Sequence, residues 1–106
     1  MENKIDRKNP MELTLLFHED GPIVSSGQCK IEDTLRTISG QRDRGESIPK
    51  LTLYVEDLRI VGPLMKLLIK YRLIVQIKTH DPDVSRNLKT IVQQYRLDVK
   101  VIAIRP

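Results

Sequence analysis

Cysteine, aromatic residues and long apolar runs are scarce in this sequence, and each scarcity excludes a class of protein. Cys29 is the only cysteine, so no disulfide can form within the chain, which suits a reducing compartment. No segment approaches the roughly 18 consecutive apolar residues that a membrane span needs. Residues 1–10 are polar and charged, unlike a secretory signal. We therefore predict a cytoplasmic protein without a membrane partner.

The length of 106 residues fits one domain and leaves no room for two. Apolar residues make up 40% of the chain, which is enough for a modest core that needs no disulfide or metal. We predict a disordered N-terminal tail over residues 1–10, a single α/β domain over residues 11–106, and no cofactor.

The first half of the domain has the pattern of a hairpin followed by a helix. An apolar strand pattern over residues 12–17 and a weaker strand pattern over residues 23–28 flank the turn sequence Glu-Asp-Gly-Pro. Ile31, Leu35 and Ile38 then recur at helical spacing. Residues 41–47 are charged and predict a loop that ends at Pro49.

The second half alternates between strand and helix patterns. Strands are predicted over residues 51–55, 73–79 and 98–104. Gly62 and Pro63 could open a buried helix whose apolar run covers residues 64–69. Asp81 as N-cap and Pro82 at the first position predict the start of the last helix. Its expected buried stripe contains Val84, Leu88, Ile91, Val92 and Tyr95.

A faint internal repeat supports this alternation. The sequence Tyr-Arg-Leu-Ile-Val at residues 71–75 matches Tyr-Arg-Leu-Asp-Val at residues 95–99. Each copy is a helix end that leads into a strand. We expect the order β-β-α-β-α-β-α-β and a mixed sheet whose C-terminal strands are parallel and joined by right-handed crossovers.

This order resembles the cytidine and nucleobase deaminase fold over roughly residues 12–104. In that family, residues 51–55 would be the strand before the second zinc motif, and the helix carrying that motif would cover residues 62–69. Residues 27–32 would lie where the first zinc motif opens its helix. The resemblance therefore implies a deaminase-like topology.

The zinc ligands of that family are missing here. The family pattern has His or Cys two residues before a general acid/base Glu, and then Pro-Cys-x-x-Cys. Cys29 and Glu32 are three residues apart, and residues 56–61 contain no cysteine. The resemblance thus implies a zinc-free relative without deaminase activity, a pseudoenzyme.

Residues with possible catalytic chemistry follow the predicted strands. In open α/β sheets, ligands gather at the carboxyl ends of the strands. These ends carry Cys29 with Glu32, then Glu56 with Asp57, then His80 with Asp81. If they converge, Glu56, Asp57, His80 and Asp81 could bind a divalent metal or act in acid–base catalysis. The alternative is that Asp57 and Asp81 only cap helices.

Positive charge is concentrated in the second half of the chain. Residues 1–49 carry 7 Lys and Arg against 9 Asp and Glu, whereas residues 50–106 carry 11 against 5. This imbalance favours an anionic partner such as nucleic acid, although a solvated lysine-rich surface would look the same. The candidate anion-binding residues lie on the outer sides of the last two helices: Lys66, Lys70, Arg86, Lys89 and Arg96.

Three functions remain open from the sequence. The leading one is a small non-catalytic binding or regulatory module whose partner is a protein or a nucleic acid. The second is a metal-dependent enzyme built on Glu56, Asp57, His80 and Asp81. The third is a self-assembling protein, for instance a homodimer, that associates through its edge strands.

Overall fold

Strands and helices follow one another in the predicted order. The computed structural model describes the backbone of residues 5–105 and the side chains of residues 10–105. Its strands are β1 (Ile5–Leu16), β2 (Ile23–Val24), β3 (Ile48–Tyr54), β4 (Val75–Thr79) and β5 (Val99–Ala103), and its helices are α1 (Ile31–Asp43), α2 (Leu58–Tyr71) and α3 (Pro82–Tyr95). The α/β class is therefore confirmed.

The five described strands form one mixed sheet with the order β2-β1-β3-β4-β5. β1 pairs with β2 antiparallel, which confirms the hairpin. β1, β3, β4 and β5 are parallel, and Leu53, Ile77 and Val101 occupy one register position across the last three. The parallel C-terminal strands are thus as predicted.

All three helices pack on the same face of the sheet. The strands β1, β3, β4 and β5 follow each other in the sheet, so each right-handed crossover places its helix on the same side. The resulting core is one cluster, in which α2 contributes the fully buried Leu64 and Leu68 beneath the sheet residues Leu53 and Ile77.

No helix of the described chain covers the opposite face of the sheet. Because strand side chains alternate between faces, this face carries the residues between the core positions. Lys78 lies beside Tyr54 here, with its Nζ 5.9 Å from the ring centroid. Thr52 donates a hydrogen bond to Oε1 of Gln76 over 3.4 Å. We call this polar surface the uncovered face: Glu12, Thr14, Lys50, Thr52, Tyr54, Gln76, Lys78, Lys100 and Ile102.

Helix starts follow the capping residues. Asp81 caps α3 by accepting from the N–H groups of Asp83 and Val84, and Pro82 is its first residue, as predicted. α2 begins at Leu58 rather than at Gly62, because the Asp57 side chain caps it. Pro63 consequently lies inside α2, on its exposed side.

Other boundaries also differ from the prediction. β2 contains two residues only, because the chain turns away through positive φ values at Gly27 and Gln28. α1 extends into the predicted loop as far as Asp43. Its last turn is held by Arg42, whose Nη1 donates to the carbonyls of Tyr71 and Arg72.

The start of β1 and the end of α3 also differ from the sequence prediction. β1 begins at Ile5 and so takes in part of the predicted tail, whereas residues 1–4 and 106 lie outside the described residues. Tyr95, predicted to be in the core, is 43% exposed. It ends α3 above the edge strand β5, beyond which no described element covers it. No described helix is long and apolar enough to cross a membrane.

Candidate functional site

Glu56 and His80 meet where β3 and β4 end, whereas the sequence left open whether these residues converge. Nδ1 of His80 lies 2.8 Å from Oε1 of Glu56, and the His80 backbone N–H donates to both carboxylate oxygens. Both side chains are about half exposed. The carboxylate fixes the orientation of the imidazole, and no third His, Cys, Asp or Glu of the described residues joins the pair.

Asp57 and Asp81 are used in helix caps instead of joining that pair. Asp57 also forms a two-point ion pair with Arg59, with 2.7 Å between Oδ2 and Nη2. Side-chain and backbone hydrogen bonds from Arg59 hold the pKa of Asp57 below its usual value. The Arg59 guanidinium in turn lies over the Phe17 ring at 4.0 Å from its centroid. These contacts make Asp57 and Asp81 structural residues.

Cys29 and Glu32 also lie apart from Glu56 and His80. The Cys29 side chain is exposed just before α1. Glu32 contacts α2 instead, with Oε2 3.6 Å from Nζ of Lys70 and 3.4 Å from the Tyr71 hydroxyl. Across the described residues, no three His, Cys, Asp or Glu side chains form a group that could hold a metal ion.

The zinc site of the deaminase family does not fit these residues. Its ligands would have to come from the start of α1 and the start of α2. The first position offers the single exposed thiol of Cys29, and the second has Glu56 and Asp57, which are already engaged with His80 and Arg59. Zinc sites of this kind require three nitrogen or sulfur ligands, which are not there.

The predicted cations of α2 and α3 are only partly available to a ligand. Lys70 pairs with Glu32, and Arg86 pairs with Asp83 at 2.7 Å. Lys66 and Lys89 are exposed and form no ion pair with a described residue. Since both helices lie on the same face of the sheet, these side chains do share one side of the molecule.

Arg72 and Arg96 mark a second basic region, at the edge where the parallel strands begin. They end α2 and α3 in the left-handed conformation, with φ of 48° and 52°. This conformation is costly for a residue with a Cβ. The two copies of the Tyr-Arg repeat are neighbours in the structure, because Nη1 of Arg72 donates to the Tyr95 carbonyl over 3.4 Å.

A groove of about 500 Å³ opens at this edge of the sheet, and its lining residues Ile74 and Asp98 follow Arg72 and Arg96 by two positions in the chain. Its charged lining residues are Lys50 and Lys100 on the uncovered face, together with Asp98. Neither lysine forms an ion pair with a described residue. The apolar Ile74 of the lining is 37% exposed. We call this region the amino-edge groove: Lys50, Ile74, Gln76, Asp98 and Lys100.

Most of the amino-edge groove was missed from the sequence. Arg96 was among the candidate anion-binding residues, whereas Lys50, Arg72 and Lys100 were not. They come from separate elements, and only the sheet register brings Lys100 level with Gln76 and Thr52. The Tyr-Arg repeat was the one available signal, because equivalent helix ends in consecutive crossovers lie at the same edge of the sheet.

Comparisons with known proteins add no relative to this picture. No family model matches the chain, and no curated protein or solved structure matches it significantly.

Proposed function

We propose that this protein is a small non-catalytic module that binds single-stranded nucleic acid along the amino-edge groove. The observation that carries the proposal is the pair of exposed lysines, Lys50 and Lys100, that line the groove without an ion pair to a described residue. Arg72 and Arg96 follow at the ends of α2 and α3, at the same edge of the sheet. Cations that are free of carboxylate partners are the ones that can exchange counterions for phosphates.

Nucleic acid is favoured over a protein partner by the chemistry of this edge. Two lysines against one carboxylate, Asp98, give the groove lining a net positive charge that suits a polyanion. Tyr95 is exposed at the same edge and offers a ring on which a base can stack.

The uncovered face would extend this surface. Lys78, Tyr54 and Gln76 continue from the groove across the middle of the sheet. A sheet face with an aromatic ring between basic and amide side chains is a common platform for single-stranded RNA. Double-stranded nucleic acid offers no splayed bases to such a face, so we expect weaker binding to a duplex.

We also propose that the protein is not an enzyme and that it is a zinc-free relative of the deaminases. The Glu56–His80 pair has no partner for metal binding among the described residues, so a metal-dependent enzyme is the weaker alternative. The mixed sheet and the order of its elements support the hypothesis that the chain is a zinc-free relative of the deaminases. A second copy of this chain is the alternative partner, for which β5 offers a free edge.

Binding of a labelled 20-nucleotide oligo(U) tests the proposal. Fluorescence anisotropy would be measured across a salt series for the wild type and for the K50Q/K100Q double variant. Each phosphate contact contributes about 0.7 to the salt slope of a single strand, so the variant should lose about 1.4 and bind roughly 25-fold more weakly near ~0.1 M salt.

The matched control is the K66Q/K89Q double variant. It removes the same charge from exposed lysines that form no described ion pair, but it does so on the outer side of the helices. We expect a change of no more than about threefold, from the long-range field alone. An equal loss in both variants would move the site to the helix surface, and no binding by the wild type at low salt would overturn nucleic acid as the partner.

A further inference from the structure

Asp98 is the one acidic residue among the described residues that line the amino-edge groove. Its side chain is exposed and forms no ion pair with a described residue, although Lys50 and Lys100 line the same groove. Its backbone carbonyl accepts from the Val75 N–H over 3.1 Å, so β4 and the chain entering β5 are already paired here. The backbone thus fixes the position of Asp98, while the carboxylate remains available to a ligand.

The sheet register places Asp98 in one row with Ile74 and Lys50. The residues that follow these three are register partners across β3, β4 and β5, and they are buried. Because side chains alternate between faces, Lys50, Ile74 and Asp98 lie on the other side of the sheet, where all three are exposed. Neighbouring strands are about 4.8 Å apart, so the backbones of Lys50 and Asp98 are about 10 Å apart, with Ile74 between them.

This row offers the groups that a ribonucleotide needs in the order in which it needs them. Lys50 can pair with a phosphate, and Ile74, which is 37% exposed, can pack against the sugar. A carboxylate only accepts hydrogen bonds, so the group that meets Asp98 must be a donor. On the sugar, the 2′-hydroxyl is such a donor, and deoxyribose lacks it. Acidic side chains bind ribose hydroxyls in this way in dinucleotide-binding folds.

We propose that Asp98 accepts a hydrogen bond from a ribose 2′-hydroxyl and makes the amino-edge groove select RNA over DNA, an inference that rests on the proposed nucleic-acid binding. The charge of Asp98 also repels phosphates, and this repulsion acts on RNA and DNA alike. RNA offsets the repulsion with the hydrogen bond, whereas DNA does not. Asp98 therefore weakens the binding of DNA and strengthens that of RNA.

Fluorescence anisotropy with labelled 20-nucleotide oligo(U), oligo(dU) and 2′-O-methyl oligo(U) measures this selection. Oligo(dU) lacks the hydroxyl, and the 2′-O-methyl strand keeps a ribose ring that cannot donate from that position. A hydrogen bond to a charged group is worth about tenfold in affinity, so the wild type should bind oligo(U) about tenfold more tightly than either other strand. The N3–H of uracil is the same in all three strands, so contact with the base alone would give equal affinities.

Asp98→Ala should move the affinities for the two sugars in opposite directions. Loss of the repulsion should strengthen oligo(dU) binding about threefold, while loss of the acceptor should leave oligo(U) binding about threefold weaker. The ratio of the two affinities should therefore fall from about tenfold to about one. Asp98→Asn keeps an acceptor without the charge, so it should give an intermediate ratio.

Glu19→Gln is the matched control for the change in charge. Glu19 is exposed in the turn after β1, at the opposite edge of the parallel strands, and it forms no ion pair with a described residue. E19Q should therefore keep the preference for oligo(U) at the wild-type value. Urea denaturation checks that D98A and D98N are as stable as the wild type, which we expect because the Asp98 side chain forms no described ion pair.

The outcomes separate the role of Asp98 from the binding function. A wild type that binds none of the three strands would overturn both. Equal binding of oligo(U) and oligo(dU) by the wild type would leave the binding function in place and overturn the selection of RNA. A preference for oligo(U) that survives in D98A, or an equal gain for both strands in D98A, would overturn the contact between Asp98 and the hydroxyl.

Discussion

The two edges of the parallel sheet use their charged side chains in different ways. At the carboxyl edge, Asp57 and Asp81 cap helices and Glu56 binds His80, so the acidic groups are satisfied within the protein. At the amino edge, Lys50 and Lys100 form no ion pair with a described residue beside an open groove. The first arrangement stabilises the fold, and the second leaves charge available for a partner.

The proposed groove lies at the edge opposite to the one that open α/β sheets usually use for ligands. Ligands in such folds usually bind beyond the carboxyl ends of the strands, near a change in strand order. Here β1, β3, β4 and β5 follow one another with all helices on one face, so the parallel strands lack the switch point that creates that crevice. At the amino edge, α2 and α3 end with their arginines on the covered side of the sheet, and Lys50 and Lys100 lie on the uncovered face.

The strongest test of the contrast between the two edges is to replace Arg72 and Arg96, which both have a left-handed backbone conformation, with glycine. Glycine adopts positive φ without a Cβ clash, so R72G/R96G should raise the free energy of unfolding by up to about 1 kcal/mol. The same change removes two cations, so oligo(U) affinity should fall roughly 25-fold near ~0.1 M salt. Urea denaturation and anisotropy measure the two effects.

The lysine double variant R72K/R96K provides the control. It keeps both charges and the strained backbone, so stability and affinity should each stay near the wild-type values. If R72G/R96G lowers stability and leaves affinity intact, the arginines support the fold, and the contrast between the two edges is lost.

The sequence predicted the fold better than the site because the two depend on different distances along the chain. Asp81 and Pro82 define the start of α3 from adjacent positions, and the apolar run of α2 identifies a buried helix. The groove depends on the sheet register, which brings Lys50 and Lys100 together from strands that the sequence separates. Tyr95 misled the prediction because helical periodicity does not reveal where the covering sheet ends.

Removal of a cap at the carboxyl edge should have an intermediate effect, on stability alone. Asp81→Ala leaves two N–H groups of α3 without their acceptor and should cost about 1 kcal/mol of unfolding free energy. Asp83→Ala removes an exposed ion pair with Arg86 and should cost less unfolding free energy, roughly 0.3 kcal/mol. Oligo(U) affinity should not fall in either variant, and a parallel loss of affinity would extend the binding site to the carboxyl edge.

The smallest expected effect is a pH dependence at Asp57. Hydrogen bonds from Arg59 lower the pKa of Asp57 in the folded protein, so the carboxylate stabilises the fold above the ordinary aspartate pKa of about 3.9. That contribution disappears as pH falls through the lowered value. Asp57→Asn keeps a side-chain cap but lacks the charge. Urea denaturation between about pH 7 and pH 2 should therefore show a gap between wild type and D57N that closes in acid. In an Arg59→Gln background, the effect of Asp57→Asn on the unfolding free energy should be much smaller at neutral pH. A difference between wild type and D57N that is the same at every pH would mean that the charge of Asp57 contributes nothing to stability.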